Sequence, residues 1–327
     1  MTEPYIIAEA AQGYEGSTGI AKLLVRGAAA AKADAVKFQI IYAADLCEPG
    51  YQYFDLFTQL EMPTEAWREV CELTHEQGMH FIADVFGRKT LKMAEEVGAD
   101  AYKLHSTNFF DDALTADVLA TGKSVYLSVG GVEADELTAL VERHSLKDRG
   151  DVTILFGYQA EPTPVDSNNL ARMMALEELT GLPVGFMDHS DAAGVHAVAL
   201  SALAAGLGVR VFEKHITLDR AVKLEDYISG LAPREFAHYV ESMRGVNAAI
   251  GCASLELTGA ERTYRSKALK RVVAACDLPM GRVLEAGDLR LSRPAREGGL
   301  YKPGDAVGRT LKTHVGEGQP IDGLVLK

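Results

Sequence analysis

Residues 5–39, YIIAEAAQGYEGSTGIAKLLVRGAAAAKADAVKFQ, contain the repeating unit that decides the fold. An apolar run at 5–8 is followed by helical spacing at 20–32 and by a second apolar run at 35–39. Strand, helix and strand in this order predict a parallel β-α-β unit. No G-x-G-x-x-G motif follows the first run, which argues against a doubly wound dinucleotide-binding sheet.

The same alternation continues to about residue 250. Between further apolar runs lie segments with helical spacing, such as 65–77, 133–143, 192–205 and 233–250. Eight such units in about 250 residues predict an α/β fold, a (β/α)₈ TIM barrel, with a doubly wound open sheet as the rival. The predicted strands are residues 5–8, 35–39, 79–84, 101–104, 124–128, 152–156, 184–186 and 209–213.

The character of the sequence changes after Gly251. Residues 252–271 are charged and weakly periodic, which predicts a linker with some helix. Beyond them, short apolar segments are broken by Gly and Pro, a pattern typical of a small β-rich domain. We therefore expect a catalytic barrel at residues 1–251, a linker at 252–271 and a small domain at 272–327.

Composition and charge exclude several classes of protein. The chain has 327 residues, with 33 Lys and Arg against 46 Asp and Glu, and its net charge of −13 disfavours nucleic acid and anionic membranes as partners. No apolar run approaches the roughly 18–20 residues of a membrane helix, and the start MTEPYIIAEA lacks a signal-peptide pattern. The four cysteines form no pairing motif, so we expect reduced thiols and a cytoplasmic location.

Ionisable residues end nearly every predicted strand, where barrels of this type carry their chemistry. His189 and His215 follow adjacent predicted strands, so one divalent ion is within reach of both imidazoles. Two unrelated histidines hydrogen-bonded at strand ends are the alternative. Residues 40–62 are too long for a plain turn between strand and helix, and we expect them to form an active-site loop.

Two lysines at predicted strand ends form a second signal. Lys37 and Lys103 are costly to bury unless an anion meets them, and a phosphate suits two ammonium groups. Ser106 and Ser128 would add hydroxyl donors. The alternative is ion pairing with carboxylates inside the barrel. Glu9 lies at the end of the first strand, where it would act as a base, orient a water molecule or simply neutralise a lysine.

Several short motifs occur in the order found in a known family. They are IIAEA at 6–10, DAVKFQ at 34–39, YKLHS at 102–106, LSVGG at 127–131, EPTP at 161–164, GFMDHS at 185–190, EKHITLDR at 213–220 and EDYISGL at 225–231. On these motifs the chain resembles the sialic acid synthases, which make N-acetylneuraminate and related nonulosonates such as legionaminate and pseudaminate. The tail, with LPMGRVLEAGDLRLSRP at 278–294 and VGRTLK at 307–312, resembles the family's small antifreeze-like (SAF) domain.

The resemblance implies a transferase that condenses phosphoenolpyruvate with the open-chain aldehyde of an N-acyl amino sugar, giving a 2-keto-3-deoxy acid and phosphate. A divalent ion, Mn²⁺ or Mg²⁺, would polarise the aldehyde. A homodimer is implied as well, in which the SAF domain crosses to the partner subunit.

The resemblance also implies roles for particular residues. His189 and His215 would hold the metal, and Glu9 would orient or activate water. Arg293, in the tail, would reach the acyl group of the sugar. The other implied substrate contacts are Lys37, Lys103, Ser106 and Ser128 to phosphoenolpyruvate, and Gln39 and Asp226 to the sugar.

Some positions depart from the family pattern around the two substrates. Asp84 stands where a phosphate-side hydroxyl is usual, and it would repel a phosphate unless it is protonated or paired with a lysine. Gln159 stands where Asn is common. Asn108, Glu161 and Met187 are further departures. These changes indicate a divergent member, with an acceptor other than N-acetylmannosamine as the mildest explanation.

Two other functions remain open at this point. One is a related barrel synthase or aldolase that uses a different sugar or donor. The other is a catalytically silent homologue that keeps the barrel as a sugar-binding module. Phosphate release during incubation with phosphoenolpyruvate and a panel of hexosamines distinguishes the synthase from both.

Overall fold

A computed structural model describes residues 3–160 and 162–327, and Glu161 therefore lies outside the described residues. The chain divides into two compact units, Met1–Cys252 and Ala253–Lys327.

The first unit is a closed barrel of eight parallel strands in sequential order. β8 pairs with β1 as well as with β7, which closes the sheet. The α/β TIM-barrel prediction is confirmed. The strands are β1 Tyr5–Ala11, β2 Ala35–Gln39, β3 His80–Val85, β4 Ala101–Leu104, β5 Ser124–Ser128, β6 Val152–Phe156, β7 Val184–Asp188 and β8 Val211–His215.

Helices lie between the strands and after the last of them. The longest, α10, has the bounds predicted from the sequence, and its first residue is Pro233. The helices are α1 Thr18–Ala30, α2 Ala43–Leu46, α3 Phe54–Leu60, α4 Thr64–Glu76, α5 Arg88–Val97, α6 Asp112–Ala120, α7 Ala134–Arg143, α8 Arg172–Thr180, α9 Ala199–Gly206 and α10 Pro233–Ile250.

One predicted helix begins too early. The Ala-rich spacing predicted a helix over 192–205, but α9 begins at Ala199. Asp191 holds the preceding segment in turns, because its side chain accepts a hydrogen bond from the Ala193 amide at 2.8 Å and its carbonyl accepts one from Gly194 at 3.0 Å. Local side-chain hydrogen bonding of this kind competes with helix formation.

The core has an inner layer inside the barrel and an outer layer between the sheet and the helices. Successive side chains of a strand point to opposite faces, so each strand contributes to both layers. The outer layer is the larger and includes the fully buried Trp67, Phe81 and Phe236. The inner layer is small and apolar, and it consists of Tyr5, Ile7, Ala35, Ile82, Ala101, Tyr126, Leu155, Met187 and Val211.

On five of the strands, the next inward-facing position after the apolar layer holds an ionisable side chain. Two residues beyond Ile7, Ala35, Ile82, Ala101 and Val211 the chain has, respectively, Glu9, Lys37, Asp84, Lys103 and Glu213. The period of two therefore places these five on the inner face, above the apolar layer and toward the C-terminal ends of the strands. Each of the five is at most 3% exposed.

The second unit is small and contains few regular elements. α11 Gly259–Ala268 precedes an antiparallel pair, β9 Arg271–Ala274 and β10 Leu289–Ser292. The segment predicted as a linker, 252–271, therefore contains a helix and the first residue of a strand. The core of the unit includes Val272, Leu278, Leu284, Leu311, Val315 and Ile321.

Among residues 3–160 and 162–327, no helix is both long enough and apolar enough to cross a bilayer.

Candidate active site

A cavity of about 260 Å³ opens at the C-terminal ends of the barrel strands. Residues from β1, β4, β5, β7 and β8, or just after them, line it together with loop residues. Most of the predicted site residues meet here: Glu9, Gln39, Lys103, Ser106, Ser128, Gln159, His189 and His215.

A layer of paired charges lies at the base of this cavity. The Lys37 ammonium group contacts Glu9 closely, lies 3.1 Å from Asp84 Oδ2 and is 3.7 Å from Glu213 Oε2. Lys103 donates to Glu213 Oε1 at 2.8 Å and lies 3.8 Å from Asp84. Ion pairing, the alternative to a phosphate for these lysines, is therefore present. Lys103 lines the cavity, whereas Lys37 and Asp84 do not.

Burial and charge set the protonation of this layer. Burial would lower the pKa of Lys37, but Asp84, Glu213 and Glu9 raise it well above its ordinary value. Burial would raise the pKa of Glu213, but Lys103 and Lys37 lower it to about 2. Glu9 differs, because burial raises its pKa more than Lys37 lowers it. Three carboxylates face two ammonium groups, and the raised pKa makes Glu9 the carboxylate that can take up a proton to balance the excess negative charge.

The two histidines predicted to bind a metal lie side by side. The ring centroids of His189 and His215 are 5.0 Å apart. Burial lowers the pKa of His189 to about 4 and that of His215 well below its ordinary value, so both imidazoles are neutral and can offer a lone pair. Within residues 3–160 and 162–327, His189 Nδ1 and both ring nitrogens of His215 have no hydrogen-bond partner.

Unpaired, neutral imidazole nitrogens in a polar cavity fit the requirements of a divalent metal. Two protein nitrogens alone do not complete a coordination shell, and the described residues contain no cluster of three or more His, Cys, Asp or Glu arranged to hold a metal. Water and substrate oxygens would have to supply the other ligands, as in an open catalytic site.

A buried polar network holds the strand ends that carry these histidines. On the outer face, Lys214 donates to Asp188 Oδ1 and to the Ser190 hydroxyl, both at 3.1 Å. Asp188 Oδ2 accepts from Ser201 of α9 at 2.9 Å, and Ser201 accepts from Tyr239 of α10 at 3.0 Å. β7 and β8 are thus tied to each other and to two helices, which fixes the positions from which the imidazoles project.

The loop after β7 is held by backbone contacts to His189. The His189 carbonyl accepts a hydrogen bond from the Ser229 hydroxyl at 2.9 Å and from the Thr163 amide at 3.0 Å. His215 has Asp226 beside it, with Oδ2 at 3.7 Å from Nδ1. Gln159 makes a close hydrogen bond to the same Asp226 carboxylate. Asp226, one of the two predicted sugar contacts, therefore lies next to His215.

Near Ser128, the cavity wall includes closely packed backbone at Gly130 and Gly157. A Cβ on Gly130 would lie 2.5 Å from the Gly157 carbonyl, and a Cβ on Gly157, whose φ is +144°, would lie 2.3 Å from the Met187 carbonyl. Glycine is therefore required at both positions. Met187 approaches Ser128, with sulfur and hydroxyl oxygen 4.0 Å apart.

The remaining predicted positions are placed as follows. The Gln39 amide oxygen accepts from Gln12 at 2.9 Å. Asn108 donates to the Val85 carbonyl at 3.0 Å, which is a contact within the barrel scaffold. Arg293 belongs to the second unit, where it donates to the Ala268 carbonyl at 3.3 Å.

Sequence reasoning missed three residues of the site. Glu213 is expected from the sequence only as one of the carboxylates that could pair with the lysines, although it lies two residues before His215 and must therefore face the same side of the strand. His105 is not among the predicted site residues, and yet it lines the cavity. Tyr158 also lines it, but it follows β6, which ends in Phe156 and not in a polar residue, so the polarity of strand ends did not indicate it.

A closed parallel barrel with lysines, carboxylates and imidazoles at its C-terminal mouth defines the class of TIM-barrel enzymes. Within that class, the chain belongs to the NeuB family, whose model matches residues 24–254. The SAF domain model matches residues 271–323. The predicted family and the SAF domain are thereby confirmed.

Curated relatives match most of the chain. An uncharacterized protein of Methanocaldococcus jannaschii is 30% identical over 292 residues, covering 89% of this chain and 85% of the relative. N,N'-diacetyllegionaminic acid synthase of Campylobacter jejuni is 27% identical, covering 90% of this chain and 92% of its own. Human N-acetylneuraminate-9-phosphate synthase is 26% identical, covering 97% and 91%.

Solved structures agree with this assignment. The N-acetylneuraminic acid (sialic acid) synthetase of Leptospira borgpetersenii, solved in complex with citrate, has a TM-score of 0.74 at 25% identity and covers 82% of this chain and 93% of its own. The named relatives are synthases, and the prediction that the chain is an enzyme of this family is confirmed.

Proposed function

We propose that the enzyme condenses phosphoenolpyruvate with the open-chain aldehyde of an N-acyl amino sugar, giving a nonulosonate and phosphate. The observation that carries the proposal is the convergence of Lys103, two serine hydroxyls and two neutral imidazoles on one cavity. An anion-binding side and a side suited to a Lewis acid are what this reaction needs. The relatives named as synthases of legionaminic acid and N-acetylneuraminate 9-phosphate support the same reaction class.

The reaction forms a C–C bond and a C–O bond from water, and it breaks the C–O bond to phosphate. Carbon 3 of the enolpyruvate bonds to the aldehyde carbon, and the aldehyde oxygen takes up a proton and becomes a hydroxyl. Water adds to carbon 2 and loses one proton, which balances the proton taken up by the aldehyde oxygen. The hydroxyl left at carbon 2 then loses its proton as phosphate leaves with the electrons of the C–O bond, so that a ketone remains and the proton goes to the phosphate.

On the anion side, Lys103 and the hydroxyls of Ser106 and Ser128 would hold the phosphate. Asp84 does not oppose this, because it lies 3.1 Å from Lys37 and 3.8 Å from Lys103. Lys37 would act from beneath, by neutralising the carboxylates that would otherwise repel the substrate.

On the aldehyde side, His189 and His215 would hold a divalent ion, Mn²⁺ or Mg²⁺. When bound, such an ion supplies Lewis-acid polarisation of a carbonyl. Glu9 lies at the cavity with a pKa raised by burial, so it can hold a proton near neutral pH or accept one from water. Gln39, Gln159 and Asp226 would orient the sugar.

Phosphate release tests the proposal. Incubation with phosphoenolpyruvate, Mn²⁺ or Mg²⁺ and a panel of N-acyl hexosamines is expected to release phosphate and to yield one equivalent of a 2-keto-3-deoxy acid. Chelation is expected to stop both. Release of phosphate without any sugar would indicate hydrolysis of phosphoenolpyruvate and not condensation. No release with any sugar would favour the silent homologue.

We also propose a homodimer in which Arg293 serves the acyl group of the sugar. Replacing Arg293 by Ala is expected to raise the KM for the sugar about tenfold or more, because a charge-assisted hydrogen bond is lost, and to leave the KM for phosphoenolpyruvate unchanged. Steady-state kinetics with each substrate varied in turn, together with light scattering to establish the mass, measures both claims. Equal changes in the two KM values, or a monomeric mass, would contradict them.

A further inference from the structure

A second pocket, which we call the outer pocket, adjoins the active-site cavity. It has a volume of about 330 Å³ and is lined in part by Leu46, Tyr51, Phe57 and Phe86. Gln39, His105 and Gln159 line both spaces, so the outer pocket continues the cavity rather than forming a separate site. A substrate bound in the cavity can therefore extend into it.

The outer pocket is formed by the loop between β2 and α4. Tyr51 and Phe57 stack with their ring centroids 6.4 Å apart, and Tyr51 remains 49% exposed. Phe86 also lines the pocket, and it packs against His105 at 5.4 Å between ring centroids. Aromatic surfaces of this kind bind the apolar faces and acyl groups of small ligands.

The lining of the outer pocket is uncharged. Within the described part of the chain it has no Lys, Arg, Asp or Glu. Its one titratable imidazole, His105, is neutral because burial lowers its pKa. The active-site cavity is the opposite, because Glu9, Lys103 and Glu213 all line it.

The surrounding loop would repel an anion. Residues 40–62 contain four acidic residues and no Lys or Arg. Lys89 approaches this loop from α5, but its ammonium group lies over the Tyr42 ring, 3.8 Å from the centroid, and 3.9 Å from Glu61. Among the described residues, therefore, neither Lys89 nor the lining offers a cation to the space between the aromatic rings, and a phosphate bound against these rings would lose hydration without gaining an ion pair.

We propose that the outer pocket holds the end of the sugar farthest from the aldehyde, and that this end is unphosphorylated and bears an apolar deoxy or acylamino group. The inference rests on the proposed function and narrows its substrate class. One relative is named for a diacetylated product and another for a 9-phosphorylated product. The inference favours the diacetylated type of product for this enzyme.

Three acceptors with the same aldehyde and N-acyl end test the inference. One bears a hydroxyl at the far end, one a phosphate, and one a deoxy carbon with an acylamino neighbour. We measure phosphoenolpyruvate consumption and the product mass with each. The third acceptor is expected to exceed the phosphorylated one in kcat/KM by about tenfold or more, the size of discrimination that an apolar pocket provides.

Two results would overturn the inference, and they have different consequences for the proposed function. Equal or greater kcat/KM for the phosphorylated acceptor would overturn it while the proposed function stands. No turnover with any acceptor would overturn the proposed function, and the inference with it.

Two substitutions of Tyr51 test whether the outer pocket is where the enzyme discriminates between the acceptors. Relative to Tyr51→Ala, Tyr51→Lys is expected to shift the preference toward the phosphorylated acceptor by about threefold or more, because it supplies an exposed cation. The KM for phosphoenolpyruvate should not change in either variant. Phe110→Ala, at a 75% exposed aromatic outside both spaces, serves as the control and should leave the preference unchanged. An unchanged preference in Tyr51→Lys would contradict the placement.

Discussion

Replacing Lys37 by Met is expected to lower the free energy of unfolding by about 3–5 kcal/mol, because it leaves buried carboxylates without their cation. Lys37 is fully buried and lies against Glu9, Asp84 and Glu213. Urea denaturation followed by circular dichroism measures the change. The effect should be larger at pH 8 than at pH 5, since carboxylates that lose their lysine bind protons more readily in the folded state, and stability then falls as the pH rises.

A matched control and a second substitution sharpen this test. Lys22→Met removes a partly exposed lysine paired with Glu69, and it should cost about 1 kcal/mol or less. Adding Asp84→Asn to Lys37→Met should recover part of the loss, because one unpaired carboxylate is removed. If Lys37→Met cost no more than Lys22→Met, the charge layer would not stabilise the barrel as described.

Replacing His215 by Ala is expected to lower kcat/KM by about 10³-fold or more, because several kcal/mol of Lewis-acid stabilisation would be lost. Direct Mn²⁺ binding, measured by electron paramagnetic resonance, should weaken in parallel. His189→Ala should behave in the same way, since the two rings lie 5.0 Å apart.

The control for the histidine variants lies on the helix surface. His238 is an exposed residue of α10, and His238→Ala should change neither Mn²⁺ binding nor turnover. Activity lost in His215→Ala with Mn²⁺ binding intact would assign His215 to substrate contact instead. Full activity in both His189→Ala and His215→Ala would reject the metal hypothesis.

Much of the barrel could be predicted because its strands are short apolar runs at regular spacing. Four strands, among them β2 and β6, have the predicted ends, whereas β8 runs two residues further to His215. That extension was not visible in the sequence, because Lys214 and His215 resemble loop residues until their partners are known. The early start assigned to α9 has a similar cause, since the Ala spacing does not reveal the turn held by Asp191.

The site was predictable to the extent that strand ends converge. That reasoning brought Lys103, His189 and His215 to one mouth. It could not show which lysine lines the cavity and which lies beneath it. Lys37 on β2 and Lys103 on β4 both point inward, and their strands flank β3, which carries Asp84. Depth along the barrel depends on register and tilt, which no single sequence motif reports.

The polar chain from Tyr239 through Ser201 to Asp188 and Lys214 has a consequence for how this enzyme can vary. Two outer helices and the two imidazole-bearing strands share one set of buried partners, so a change in any one of them has to be matched by the others. Sequence drift in α9 and α10 is thereby restricted by the geometry of the cavity, although neither helix lines it.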